Sequence, residues 1–357
     1  METEKLSHII ESICQPGKGI LAADESTGTI KKRFDSLGIE NTEQNRRDYR
    51  NLLFTTPDIE KYISSVILFD ETIDQKDDTG KTFAELLASR GIVPGIKSDQ
   101  GKNEHPDFAP QTITHGIDGM PERLQNWTGR SNGTLGFTKW RQVILVEPEP
   151  SDTFLESVMD AMAQNAAYSQ AAGYVPITEP EILMDGKHSI EQCAAVTERA
   201  LYMLYRKLEE HGVSIAHTLL KPSMVVSGKE TKTDSPEDVA KATLDVFQNA
   251  LPKNLPGIVF LSGGQSPKQA TENLNAIIVL AKERGLLLSA DSLNQSNEWF
   301  VSFSYGRALQ EYALKVWEGK EKNIAHAQHA LIQRAKLNGL AQKGEYAPSM
   351  EENTVTA

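Results

Sequence analysis

Short apolar runs recur along this chain. Each is bounded by polar, glycine- or proline-containing residues, and most are followed by a longer stretch with helical spacing. Runs that stay apolar on successive positions predict strands buried on both faces. Eight stand out: 19–24 (GILAAD), 64–70 (SSVILFD), 92–99 (IVPGIKSD), 140–147 (WRQVILVE), 174–182 (YVPITEPEI), 216–221 (AHTLLK), 257–264 (GIVFLSGG) and 299–306 (WFVSFSYG).

Helical patterns lie between most of them. The stretch Ser151 to Ala172 opens on Ser151 or Asp152 as N-cap and carries Leu155, Val158, Met159 and Met162 on one face. It stops at Gly173. Residues 188–212 place Cys193, Val196, Ala200, Leu204 and Leu208 at helical spacing. Ser235-Pro236-Glu237-Asp238 combines an N-cap serine, a proline at the first helical position and an acid at the third. Residues 265–284 and 307–339 also read as helices. Residues 102–116 read as a proline-containing loop, 285–297 as an extended loop, and 342–357 as a loose polar tail.

Eight buried strands alternating with helices predict an α/β fold, a closed parallel (β/α)8 or TIM barrel. The predicted barrel is a single domain over residues 1–341, with 342–357 as a flexible C-terminal tail. The alternative, an open doubly wound sheet, is weakened because no G-x-G-x-x-G follows the first strand. The 357 residues suit a barrel built as one domain. Hydrophobic residues at 39% and charged residues at 24% fit an ordinary soluble protein. A formal net charge of −12 argues against a broad nucleic-acid or anionic-membrane surface, but it leaves room for a local cationic pocket. Cys14 and Cys193 are far apart and lack metal-type spacing, which suggests a reduced, cytoplasmic chain. The acidic N-terminus METEKLSHII lacks the regions of a signal peptide, and no apolar run reaches the ~18 residues of a membrane span.

One stretch breaks the apolar pattern in an informative way. In A-H-T-L-L-K-P-S-M-V-V (216–226) a single lysine, Lys221, sits in an otherwise nearly apolar run. Pro222 cannot donate to a sheet ladder and marks the strand's end. A buried ammonium needs a partner or a task. The structural reading is a lysine that snorkels or pairs with a buried carboxylate. The chemical reading is a nucleophile: a desolvated lysine near other cations loses its proton more easily, and the neutral amine attacks a carbonyl to form a Schiff base.

Other ionisable residues collect at strand ends, where barrels of this type carry their chemistry. The first strand ends in Asp24-Glu25-Ser26 and the third in Lys97-Ser98-Asp99. Lys139 and Arg141 flank the start of the fourth apolar run, and the fifth strand carries Glu179 and Glu181. The seventh ends in Ser262-Gly263-Gly264 and the eighth in Ser304-Tyr305-Gly306-Arg307. Singly, each has a structural reading: Glu179 and Glu181 as a solvated pair, Asp24 as a helix cap, Lys97 as a partner of Asp99, the glycine turns as ordinary caps. Together, at one barrel mouth, they make a site. The glycine turns of loops seven and eight supply backbone N–H groups, hydroxyls and an arginine where many barrels bind phosphate.

These stretches carry a family pattern. GILAADESTG, VILFDET, GIKSD, FTKWR, VPITEPEIL, HTLLKPSMV, FLSGGQS and FSYGRAL span nearly the whole chain in order, and the sequence closely resembles class I fructose-bisphosphate aldolases. The resemblance implies that Lys221 is the Schiff-base lysine, Glu179 the acid/base that expels water from the carbinolamine, and Lys139 its cationic partner. It implies that Asp24 takes the C4 hydroxyl proton and that Glu181 is a supporting carboxylate. Ser262, Gly263, Gly264, Ser304, Gly306 and Arg307 resemble the C1-phosphate site. Ser26, Thr29, Arg33 and Lys97 resemble the C6-phosphate side, and Arg141 is a further cation for substrate. The protonated imine is an electron sink for the carbanion left by carbon–carbon cleavage, so neither cofactor nor metal is expected. The expected partners are phosphorylated sugars, with a homotetramer and cytoskeletal proteins implied by resemblance alone. Three departures stand out. The chain ends Val355-Thr356-Ala357 where animal members end in tyrosine, the 285–297 loop is longer, and Thr29 replaces a serine.

Other chemistries fit less well. A metal-dependent aldolase needs a histidine cluster at the mouth, but the eight histidines are scattered. Only His217 falls on an expected strand, and His326 and His329 fall on the final helix. A pyridoxal-phosphate enzyme also uses a lysine imine and would be yellow. A binding or scaffold protein on a dead barrel would have a broken catalytic set, whereas Asp24, Lys139, Glu179 and Lys221 are all present.

Overall fold

A computed structural model describes residues 2–287 and 298–353 of the chain. The expected loop at 285–297 therefore lies largely outside the described residues, as does the chain end at 354–357. The strands are β1 (Gly19–Ala23), β2 (Ile63–Leu68), β3 (Val93–Lys97), β4 (Lys102–Glu104), β5 (Thr112–Thr114), β6 (Phe137–Ile144), β7 (Val175–Ile182), β8 (Leu219–Leu220), β9 (Gly257–Phe260) and β10 (Phe300–Tyr305). Eight of them close a barrel in the order β1-β10-β9-β8-β7-β6-β3-β2, with every pairing parallel. Helices cover the outside, so both faces of each strand are buried, which explains the unbroken apolar runs.

The two-residue period of a strand sorts the side chains into two cores. Ile20, Ala22, Ile67, Phe137, Val175, Ile177, Leu219, Val259 and Phe300 fill the barrel with Leu6, Ile9, Ile10 and Ile13 of the first helix, Glu2–Ile13. That helix plugs the N-terminal end. The alternate residues, among them Leu21, Val66, Trp140, Leu220, Ile258 and Phe303, pack with the outer helices. Continuing the inward parity toward the strand ends replaces apolar residues with charged ones. Ile20 and Ala22 lead to Asp24, Phe137 to Lys139 and Arg141, Ile177 to Glu179 and Glu181, and Leu219 to Lys221.

The helix signals hold closely. Ser151 caps Asp152–Ala171 by accepting from the Phe154 N–H at 3.2 Å, and Gly173 follows with φ +78°. Ser235 caps Pro236–Ala250 by accepting from the Asp238 N–H at 3.1 Å.

Four expectations change. β6 starts at Phe137, not 140, because Lys139 interrupts the apolar signal without ending the strand. The sixth expected strand pairs only over Leu219–Leu220. A 3-10 turn at Ile215–His217 precedes it, and buried chain without regular structure follows. The proline-containing loop holds the antiparallel hairpin β4–β5, whose strands are too short and polar to read as strands in sequence. The helix expected over 307–339 is two helices, Arg307–Trp317 and Ile324–Gln342, broken where Glu318 (φ 52°) and Gly319 (φ 72°) turn left-handed. Of the expected tail, Tyr346 is buried and Glu351 pairs with Arg334.

Candidate active site

The charged inward positions meet at the axis of the barrel's C-terminal mouth. Lys139 on β6, Glu179 on β7 and Lys221 just after β8 come from three consecutive strands, and Asp24 follows β1 on the opposite wall. The Lys221 Nζ lies 3.0 Å from Glu179 Oε1. The other Glu179 oxygen lies 3.1 Å from Lys139 Nζ, which reaches Asp24 Oδ2 at 2.7 Å. Lys139, Glu179 and Lys221 are 2%, 4% and 3% exposed. This is one buried chain of alternating basic and acidic side chains, Lys221–Glu179–Lys139–Asp24.

Electrostatics fixes the charge states of Asp24, Glu179 and Lys139. Burial works against the ionised carboxylates, but the neighbouring cations outweigh it. Lys139, Lys221 and Lys97 hold Asp24 well below the usual carboxylate range. Lys139, Lys221 and Arg141 lower Glu179. Burial likewise disfavours the Lys139 ammonium, but Asp24, Glu179 and Asp99 raise its pKa. Near neutral pH both carboxylates are anionic and Lys139 is a cation.

Around this chain opens a cavity of about 1470 Å³. All sixteen candidate residues line it: the four above together with Ser26, Thr29, Arg33, Lys97, Arg141, Glu181, Ser262, Gly263, Gly264, Ser304, Gly306 and Arg307. Glu181 is 8% exposed and accepts from Arg141 Nε. On one wall, after β9, Gly263 (φ 56°) and Gly264 (φ 96°) form a turn that runs into the helix Pro267–Glu283. A side chain other than glycine is strained at such φ values. A Cβ on Gly264 would lie 3.4 Å from an Arg307 Nη, so that guanidinium overhangs the turn. Ser304, on neighbouring β10, is 1% exposed, and its hydroxyl has no hydrogen-bond partner. Across the barrel stand Lys97 on β3 and Arg141 on β6, so the mouth has two cationic walls.

The four residues of the expected C6-phosphate side line this one cavity from two strands. Ser26, Thr29 and Arg33 follow β1, which lies between β10 and β2, and Lys97 stands on β3, two strands from β1. An Arg33 Nη would lie 3.9 Å from a Cβ on Gly306. Ser26 also caps Thr27–Asp35, accepting from the Thr29 N–H at 3.4 Å. Three buried residues escaped the candidate set. Asp99 pairs with Lys97 at 2.5 Å and lies 3.9 Å from Lys139. Its position at the end of β3 was a usable signal. Glu25 and Gln310 form a cluster behind Arg33, and only the fold brings them together. His217 lies at the opposite end of the barrel, bonded to Ser7 and Ser214. His326 and His329 are exposed. Among the described residues no group of three His, Cys, Asp or Glu could hold a metal ion.

Comparison with known proteins agrees with this geometry. The family model "Glycolytic: Fructose-bisphosphate aldolase class-I" matches residues 5–357. The chain belongs to the class I fructose-bisphosphate aldolase family. It is 45% identical to the cytoplasmic isozyme of fructose-bisphosphate aldolase from Spinacia oleracea, over 94% of this chain and 89% of that one. It is 46% identical to the cytosolic fructose-bisphosphate aldolase 4 of Arabidopsis thaliana, over 93% and 81%. A solved structure of the Plasmodium falciparum aldolase, in complex with TRAP and a small-molecule inhibitor, matches with a TM-score of 0.89 and 42% identity, over 97% and 96% of the two chains. The aldolase is thus a glycolytic lyase of the metal-independent class, and its family binds phosphorylated sugars. Among the described residues, no helix of this aldolase is long and apolar enough to cross a membrane.

Proposed function

We infer that this site cleaves fructose 1,6-bisphosphate reversibly between C3 and C4 through an imine on Lys221. The observation that carries this reading is the buried Lys221–Glu179–Lys139–Asp24 chain at the barrel axis. Lys221 passes a proton to Glu179, and the neutral amine attacks the C2 ketone. Glu179, within 3.0 Å, relays the proton that lets hydroxide leave the carbinolamine as water. Asp24 accepts the C4 hydroxyl proton, the C3–C4 electron pair moves into the iminium, and glyceraldehyde 3-phosphate departs. The enamine is reprotonated at C3, and water releases dihydroxyacetone phosphate from Lys221. Lys139 keeps both carboxylates ionised and oriented, and Glu181 holds Arg141. Ser262, Gly263, Gly264, Ser304, Gly306 and Arg307 hold one phosphate. Lys97 and Arg141 face the other, and Ser26, Thr29 and Arg33 stand between the walls on the β1 side. The unpartnered Ser304 hydroxyl and the Gly263–Gly264 turn support a phosphate there.

Borohydride trapping tests this. The protein is incubated with dihydroxyacetone phosphate, reduced, and mapped by mass spectrometry with and without EDTA. An adduct on Lys221 that forms with EDTA present is expected. Absence of an adduct overturns the imine: EDTA-sensitive cleavage would then indicate a metal mechanism, and no cleavage a non-catalytic barrel. The assembly in this proposal is a homotetramer in the cytoplasm, a location supported by the relatives' cytoplasmic and cytosolic names. Sedimentation should give a mass four times that of the chain, and a monomer mass would refute it.

A further inference from the structure

Behind the β1 side of the mouth lies a buried polar cluster that the cleavage chemistry does not use. Glu25, next to Asp24 in sequence, is 8% exposed. Its Oε1 accepts from Arg33, and its Oε2 lies 2.6 Å from Arg50 Nη2. Arg33 lines the cavity, whereas Arg50 is 4% exposed and packs against the Tyr49 ring. Gln310 is 1% exposed. Its Nε2 donates to Glu25 Oε1 at 2.9 Å and to the Ala22 carbonyl at 2.7 Å. Its Oε1 accepts from the Tyr49 hydroxyl at 3.1 Å.

A primary amide has two N–H donors and one carbonyl acceptor, and here all are engaged. Glutamate in its place could not donate to the Ala22 carbonyl, and an apolar residue would leave Glu25 and Ala22 short of a donor. Gln310 also lies one turn into the helix Arg307–Trp317, with its backbone N–H donating to the Gly306 carbonyl at 3.1 Å. One side chain therefore joins three things: the helix that begins with Arg307, the end of β1, and the carboxylate that grips Arg33. The close approach at Gly306 fits this arrangement. A Cβ there would lie 3.3 Å from the Ala22 oxygen and 3.9 Å from an Arg33 Nη.

We propose that Gln310 is a positioning residue, holding Arg33 through Glu25 against the Gly306–Arg307 turn so that both arginines present a fixed pair to one phosphate of the substrate. This rests on the reading of that wall as a phosphate site. An arginine ordered before binding loses less freedom when the anion arrives, so the effect falls on affinity more than on the chemical step.

The test is calorimetric titration with a hexitol bisphosphate, which carries two phosphates and no carbonyl, so that binding does not depend on the imine. Wild type, Gln310→Leu, Tyr49→Phe, Arg33→Ala and the doubles with Arg33→Ala are compared. Gln310→Leu is expected to weaken binding about tenfold and Tyr49→Phe about threefold, with neither weakening it further once Arg33 is alanine. A loss that came only from general loosening of the fold would persist in the Arg33→Ala background. Tyr49→Phe keeps the ring stacked on Trp317 and against Phe34, so it decides the matter alone if Gln310→Leu does not fold. The proposal is overturned if both single variants bind within about twofold of wild type, if their losses persist without Arg33, or if wild type does not bind the analogue. Borohydride trapping on the same proteins reports Lys221 separately. A missing adduct with the expected titration pattern would sink the imine and leave the positioning role standing.

Discussion

At the scale of single residues, this site is a set of buried charges that stabilise one another. Removing Glu179 takes from the buried Lys221 the carboxylate 3.0 Å away, the costly case for a buried ion. Glu25 gives a clean instance away from the reacting atoms. Burial raises its pKa, but Arg33 and Arg50 more than offset this, so its folded value lies below the ordinary one. A depressed folded pKa gives stability that is complete above the unfolded value of about 4.3 and is lost as pH falls through the folded value. Glu25→Gln should therefore lower the melting temperature by a constant amount above about pH 5, with the gap closing below about pH 4. Melting curves across that range check it, and a gap that widens in acid would contradict the assignment. Sequence made Asp24, Glu179 and Lys221 legible, because a charge at the end of an apolar run is conspicuous. Gln310 was not legible, since a glutamine one turn into a helix has no such contrast.

At the scale of elements, the site depends on strands whose inward parity changes from apolar to charged partway along. β6 shows why the sequence reading slipped. Lys139 is an inward strand residue, yet a charge beside an apolar run reads as a boundary, so the sequence places the strand's start three residues late. The hairpin β4–β5 escaped for the same reason, because polar three-residue strands carry no periodic signal. Inside the barrel, space is as decisive as parity. A Cβ on Gly95 of β3 would lie 2.3 to 2.4 Å from atoms of the Phe137 ring, which is fully buried between strands. Gly95→Ala should cost about 1–3 kcal/mol through overpacking. Urea unfolding checks this, and an unchanged midpoint would show that the Phe137 ring has room to move.

At the scale of the whole molecule, closure of the barrel lets residues more than a hundred positions apart share one cavity, while the first helix seals its other end. The C-terminal segment adds a further long-range tie. Arg334, 1% exposed on the helix Ile324–Gln342, makes a two-pronged pair with Glu351 at 2.9 Å, and the Tyr346 hydroxyl donates to the same carboxylate. Glu351→Ala would leave a buried guanidinium without its carboxylate and should cost about 3 kcal/mol. Chemical denaturation measures it, and a loss below about 0.5 kcal/mol would mean the pair behaves as an exposed one. By itself the sequence determined the alternation of strands and helices, the barrel class, the helix caps and the charged strand ends, because each is written in local contrast between neighbouring positions. Only the tertiary structure decided that Asp24 meets Lys139 across the axis, that Arg33 comes close to the Gly306 turn, and that Gln310 lies behind both. Those pairings depend on which strands adjoin when the sheet closes, and closure is a property of the whole chain rather than of any stretch within it.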